Sequence, residues 1–233
     1  MKNELDLSIV IPLYKEDKTE IVQALNRLKK YLSTKNLSYE IIISQNGSDS
    51  FKYWDFHSSL VRLLHDKEKG LGIALKQGIL EARGKYFYFN PSDIPFNFSD
   101  LENMLNGYQK FDLQIGSKLH PLSIYSICFR RKILTRAQHF VTKILFSELR
   151  ILDVNGTLFG KTEKAQQILK KNEMDSSYFF SFQFVHLFRK NNFILREVPV
   201  TYRKQINKTN IYLLSDSLKY FRSLIYYKFT SNQ

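Results

Sequence analysis

Residues 64–93 read LHDKEKGLGIALKQGILEARGKYFYFNPSD. Gly70 and Gly72 open a segment in which Leu71, Ala74, Leu75, Gly78, Ile79 and Ala82 recur at helical spacing, and Gly84 closes it. The run Tyr86-Phe87-Tyr88-Phe89 follows, short, aromatic and bounded by polar residues, which predicts a buried strand. It leads directly into the turn Asn90-Pro91-Ser92-Asp93. Helix, strand, then a carboxylate just beyond the strand's C-terminal end is the place where open α/β sheets bind ligands.

The same grammar extends to both sides. Residues 7–11 predict a strand stopped by Pro12, and residues 17–32 a helix with Ile21, Leu25, Leu28 and Leu32 on one face. Residues 39–43 predict a second strand, ended by Gln45-Asn46-Gly47-Ser48, and residues 61–64 a shorter third. Ser99-Asp100-Leu101-Glu102 has capping-box spacing and predicts another helix start. Residues 112–115 predict a strand ending at Gly116. This alternation argues for an α/β fold with a doubly wound, mostly parallel sheet whose polar turns line one crevice. Beyond it, residues 124–146 mix Arg130, Arg131, Lys132, Arg136 and Lys143 with apolar residues at helical spacing. Helices are also predicted at 162–171, 178–190 and 211–229, and a strand at 193–202. No repeat or low-complexity linker interrupts the chain. The expected organisation is one domain over 1–205, with a helical tail over 206–233 that packs on it or lies at a membrane surface.

The chain has 233 residues, 43% hydrophobic, enough for a sizeable core. Its net charge of +13 points to an anionic partner. Cys128 is its only cysteine, so no intrachain disulfide forms, which fits a reducing compartment. The N-terminal MKNELDLSIVIPLY lacks the basic flank of a signal peptide, and no apolar run approaches the roughly 20 residues of a membrane span. A cytoplasmic protein, soluble or peripheral on the membrane, is expected. The histidines show no metal-ligand spacing. Gly70-Leu71-Gly72 is not a full dinucleotide fingerprint, and no Gly-Lys-Ser/Thr phosphate loop is present. The positive charge alone suggests a nucleic-acid binder, but no recognition motif accompanies it.

Several segments, in order, resemble family 2 glycosyltransferases with a GT-A fold, and within them the polyprenyl-phosphate branch typified by dolichol-phosphate mannose synthase. They are IPLYKE (11–16), EIIISQNGSDS (40–50), the Gly70 helix with its aromatic strand, FNPSDIPF (89–96), GSK (116–118), DVNGTLFGK (153–161) and REVPVTYRK (196–204). The resemblance implies a nucleotide-sugar pocket formed by Pro12, Tyr14, Glu16, Gln45, Asn46, Lys69, Gly70 and Ser92. Gln45 and Asn46 stand where the family has two acids, so the base would be read through amides. Asp93 closes the segment corresponding to the metal-binding Asp-x-Asp, with Pro91 in the first carboxylate's place. Asp93 would then hold Mg²⁺ or Mn²⁺ together with the donor diphosphate, Asn90 being the alternative ligand if the turn is reset by one residue.

By the same resemblance, Lys118, Arg130, Arg131 and Arg203 are the candidate phosphate-binding cations, and Asp153 is a second candidate catalytic carboxylate. A lipid phosphate is already anionic near neutral pH and needs no general base. The family's processive signature Gln-x-x-Arg-Trp is missing, since the only tryptophan is Trp54. The expected activity is inverting transfer of a hexose from a nucleoside-diphosphate sugar to a polyprenyl phosphate at the cytoplasmic membrane face. The expected partners are both substrates and an anionic membrane surface, with no nucleic acid. The alternatives are a polysaccharide acceptor, or a non-catalytic nucleotide-binding relative with an eroded metal site.

Overall fold

The computed structural model describes residues 5–14, 18–47, 60–124, 129–201 and 213–230, without the side chains of 129–132 and 213–217. Strand β1, Leu7–Leu13, is buried along its whole length, because it is a central strand covered on both faces. It pairs in parallel with β2 (Tyr39–Asn46) on one side and with β4 (Tyr86–Phe89) on the other. Beyond β2 lies β3 (Val61–Asp66), also parallel. The predicted alternation is therefore present, with β1 extending through Pro12 to Leu13. Val10 O accepts from Asn90 N, so Pro12, two residues on, points its nitrogen to the same side, where β4 has ended and no donor is needed.

The other half of the sheet is mixed. Its described strands run in the order β3-β2-β1-β4-β6-β5-β7, with β5 at Leu113–Ser117, β6 at Leu158–Lys161 and β7 at Leu195–Pro199. β6 is antiparallel to both β4 and β5, and β7 is parallel to β5. Sequence patterning did not reveal β6. It is four residues long, with Phe159 as its single aromatic and Gly160 inside, too short and interrupted a run to stand out as a strand.

Two layers of helices cover the sheet, and the strand's period of two decides which residues meet which layer. Ile9, Ile11, Ile41, Ile43 and Tyr88 face α1 (Lys18–Leu32) and α3 (Ser99–Leu105). Val10, Phe87, Phe89, Ile115 and Leu158 face the opposite layer, built from α2 (Leu71–Leu80), α5 (Thr162–Lys171) and α6 (Phe179–Lys190). α4 (Phe129–Leu145) and α7 (Leu213–Thr230) pack on each other, and α7 sends Tyr220 and Leu224 into this second core.

The capping box predicted at Ser99 is not formed. Ser99 Oγ donates to Phe96 O and accepts from Thr201 N, at 2.8 Å each. Glu102 instead accepts from Tyr31 Oη at 2.5 Å and pairs with Lys35 Nζ at 2.6 Å, tying α3 to α1.

Candidate active site

Parallel pairing puts the C-terminal ends of β1, β2, β3 and β4 on one edge of the sheet. β5 and β7 end on that edge too, and antiparallel β6 begins there. The edge therefore gathers Tyr14, Gln45, Asn46, Asn90 to Asp93, Lys118 and Asp153. β1 has β2 on one side and β4 on the other, so the strand order reverses between β1 and β4, the switch point at which such sheets open a crevice. Tyr14 and the turn 90–93 flank that point.

On the β2 side the structure brings several of the sequence candidates together. Lys69 Nζ lies 4.5 Å from the centre of the Tyr14 ring, a cation–π contact that joins the turn after β1 to the entry of α2. Gln45 and Asn46 are buried at the end of β2. Asn46 Nδ2 donates to Gly70 O, which fixes the start of α2 against β2. The glycine pair itself faces the segment before α6. Gly72 N donates to Ser176 O at 2.9 Å, and a Cβ on Gly72 would lie 2.1 Å from Asp175 O. Close backbone approach is thus one reason for glycine here. Glu16 and Arg203 lie outside the described residues, as do the side chains of Arg130 and Arg131 at the start of α4.

The turn after β4 offers one acidic group. Pro91 and Ser92 are half-buried and Asp93 is exposed at the edge. Asn90 is 1% exposed, and its Nδ2 is buried without a hydrogen-bond partner. Among the described residues no group of three or more His, Cys, Asp or Glu side chains gathers as a metal cage. That donor set fits a hard cation of the Mg²⁺ type, which commonly takes one or two carboxylates and completes its shell with substrate phosphates and water.

On the β5 side, Lys118 and Asp153 form one unit. Lys118 N donates to Asp153 Oδ2 at 2.9 Å, and Lys118 Nζ lies 3.4 Å from the same oxygen. Asp153 Oδ1 accepts from Asn155 N at 3.1 Å, and Lys118 Nζ reaches Asn155 O at 3.3 Å. The Asp153 side chain is 4% exposed and that of Lys118 21%. Glu197, on β7, accepts from Asp153 N and Leu152 N, each at 3.0 Å. Glu197 was not a sequence candidate. Its only signal was its place in the REVPV strand, and its meeting with residue 153 depends on strand order.

Behind the edge, the Asp100 carboxylate is buried and accepts from Thr157 Oγ1 and Tyr88 Oη. Burial raises its pKa above the ordinary carboxylate value, while the two hydroxyls act in the opposite direction. Burial also holds the Tyr88 phenol well above its usual range, helped by the adjacent Asp100 charge. Asp100 lies within the protein interior and serves the scaffold.

Comparison with known proteins places these features in context. Residues 8–145 match the family described as Glycosyl transferase family 2. The dolichyl-phosphate beta-glucosyltransferase of Dictyostelium discoideum is 29% identical over 98% of this chain and 76% of its own. The Saccharomyces cerevisiae protein of the same name is 22% identical over 95% of this chain and 74% of its own. The Homo sapiens one is 31% identical over 60% of this chain and 49% of its own. Among solved structures, glucosyl-3-phosphoglycerate synthase from Mycobacterium tuberculosis, in complex with Mn²⁺, uridine diphosphate and phosphoglyceric acid, aligns with a TM-score of 0.70. It is 17% identical over 97% of this chain and 80% of that one, a likeness of fold.

Proposed function

The chain belongs to glycosyl transferase family 2, and on that premise we propose that it moves glucose from a nucleoside-diphosphate sugar to a polyprenyl phosphate, with inversion, at the cytoplasmic face of a membrane. The observation that carries this reading is the similarity, along 98% of the chain, to a protein named dolichyl-phosphate beta-glucosyltransferase. The edge chemistry agrees with it. Lys118, at the end of β5, is a cation that an acceptor phosphate could contact, and the sheet's switch point is the kind of place where a donor nucleotide would bind.

The reaction needs little acid–base help. A phosphate-monoester oxygen of the acceptor attacks the anomeric carbon while the bond from that carbon to the diphosphate oxygen breaks, and the nucleoside diphosphate leaves with the electron pair. Catalysis then consists of holding nucleophile and anomeric carbon in line and stabilising the departing charge. Tyr14, Lys69 and the ends of β1 and β2 would hold the nucleotide, and Lys118 would orient the acceptor phosphate. Asp93 would hold a divalent cation, whose chemistry is to neutralise charge on the diphosphate.

Membrane contact rests on α4 and α7. Among the described residues no helix is long and apolar enough to cross a membrane. Phe140 and Ile144 on α4, and Ile225, Tyr226 and Phe229 on α7, are nevertheless half or more exposed. They alternate with Arg136, Lys143, Arg222 and Lys228. Apolar side chains beside basic ones suit an anionic lipid surface.

The deciding experiment incubates the purified chain with radiolabelled UDP-glucose, a short polyprenyl phosphate and Mg²⁺ or Mn²⁺. Label in the organic phase as a glucosyl phospholipid is the expected result. Nucleotide binding without transfer to any acceptor would favour the second reading, a non-catalytic relative, which Pro91 in place of a carboxylate supports. Transfer to polysaccharide alone would replace the lipid acceptor.

A further inference from the structure

We propose that Asp153 and Glu197 are positioning residues that act through Lys118, and that Asp153 is not the general base of the reaction. The proposal rests on the reading of Lys118 as the acceptor-phosphate contact. Both oxygens of Asp153 are engaged inside the protein, one by the Lys118 main chain and ammonium, the other by Asn155 N. Asp153 is 5% exposed, and each of its oxygens is directed at a donor from Lys118 or Asn155, the arrangement of a positioning group. A phosphate nucleophile, with a second pKa of about 6, carries little proton to remove.

The geometry forms a relay of three links. In the first, β7 lies parallel to β5 with Ile115 opposite Glu197, so the Glu197 side chain stands at a fixed height beside the strand that leads into Lys118. In the second, each Glu197 oxygen accepts one backbone N–H, from Asp153 and Leu152, which locks the loop before β6. In the third, the locked loop aims the Asp153 carboxylate at Lys118. The ammonium is held on one side by Asp153 Oδ2 and Asn155 O. An ammonium has three protons, so it keeps donor capacity on its partly exposed side for an anion. A lysine alone is a flexible point charge. Held by two acceptors, it is pre-aimed, and the ordering cost of phosphate binding falls.

Two amide substitutions break the relay without changing size. Asp153→Asn keeps an oxygen for Lys118 N–H but removes the charge facing Nζ. Glu197→Gln keeps one acceptor and turns an NH₂ toward a backbone N–H, breaking one of the two bonds. The test measures steady-state kinetics with UDP-glucose and a short polyprenyl phosphate for both variants, for Lys118→Met, and for the two double variants Asp153→Asn/Lys118→Met and Glu197→Gln/Asp153→Asn. Circular dichroism and donor KM report on folding. Each single variant is expected to raise the acceptor KM about tenfold, the size of a lost charge-assisted contact, with donor KM unchanged and kcat little altered. Each double variant is expected to be no worse than its worse single parent, the non-additivity of residues acting through one another.

A purely structural role would lower stability and shift donor and acceptor constants alike, and would add to Lys118→Met, which overturns the relay. Loss of kcat in Asp153→Asn with acceptor KM unchanged restores the general base and overturns it too. An unchanged acceptor KM in Lys118→Met removes the premise about Lys118. A raised one in Lys118→Met beside unchanged values in Asp153→Asn removes the relay alone. Should Asp153→Asn fail to fold, Glu197→Gln paired with Lys118→Met gives the same reading.

Discussion

The carboxylate of Asp100, in the first turn of α3, accepts a hydrogen bond of 2.6 Å from the hydroxyl of Thr157, the residue that leads into β6. Tyr88 Oη, on β4, donates to the same oxygen at 2.8 Å. A buried carboxylate thus joins α3 to two neighbouring strands just beneath the loop that carries Asp153. Thr157→Val keeps the shape and removes one donor from a buried acidic group. It is expected to cost about 1.5–3 kcal/mol, the usual range for a hydrogen bond to a charged partner. Urea denaturation compares the two proteins, and a difference under half a kcal/mol, roughly the noise of surface substitutions, would show that Asp100 does not need this donor.

Gly156 makes the same region intolerant of a side chain. A Cβ there would lie 1.9 Å from Gly116 O, a backbone atom that a rotamer change cannot move. Gly156→Ala is expected to lower stability by about 1–3 kcal/mol, the cost of overpacking. Because Gly116 precedes Lys118 by two residues, the acceptor KM is expected to rise in the same variant. A thermal melt and steady-state kinetics check both halves, and a wild-type melt would mean that the two segments separate freely.

Asp93 is the carboxylate of the turn after β4. Asp93→Ala is expected to reduce turnover of UDP-glucose by about 10²-fold, within the range for removing one group that stabilises developing charge. The rate is expected to lose its dependence on Mg²⁺ or Mn²⁺ concentration. A metal titration on wild type and variant is the measurement, and an unchanged titration curve would place the cation elsewhere.

His186 gives the stability a pH dependence. It sits between Phe146 and Phe182, with Tyr227 Oη 3.1 Å from Nδ1 and the Glu148 carboxylate 3.4 Å from Nε2. Burial lowers its pKa below 6.5 and outweighs Glu148, while Lys190 and Lys228 add to the lowering. The folded state therefore binds fewer protons than the unfolded state below that value, so stability falls as pH drops through about 6.5 toward the folded pKa. Denaturation midpoints measured between about pH 7.5 and 5.5 should decline in wild type. In His186→Phe that part of the decline should vanish. Parallel curves for the two proteins would show that His186 does not titrate on folding.

The exposed apolar residues of α4 and α7 provide a separate check on lipid contact. Phe140 is 63% and Phe229 76% exposed, so replacing both with glutamate removes no core packing. Sedimentation with anionic vesicles is expected to fall several-fold, while donor KM in detergent-free buffer stays at the wild-type value. Wild-type binding is expected to weaken as salt shortens the Debye length from about 10 Å at 0.1 M. Equal recovery of wild type and variant in the vesicle pellet would remove these helices from the membrane proposal.

Local chemistry was enough to read β1, α1, α2, β4, α5, α6 and α7 from the chain. α1 and α2 carry helical spacing, β4 is a short aromatic run, and Gly84 and the Asn90-Pro91 turn mark the ends of α2 and β4. The same locality made the edge candidates Tyr14, Asn46, Asp93 and Lys118 legible, because a turn that follows a parallel strand has to fall on the strands' C-terminal edge. Other features depend on residues far apart in sequence. Glu102 leaves Ser99 for Tyr31 and Lys35, which only the packing of α3 on α1 brings near. β6, whose Gly160 hides its strand character, becomes a strand because β4 and β5 each offer it an unpaired edge. Glu197 meets Asp153 because β7 pairs beside β5 in one particular register, and a shift of one residue would turn its side chain to the other face. Hydrophobic period and turn chemistry act over a few residues and are written in the chain. Strand order and register arise from burying the whole sheet at once, and they alone decided which carboxylate faces Lys118.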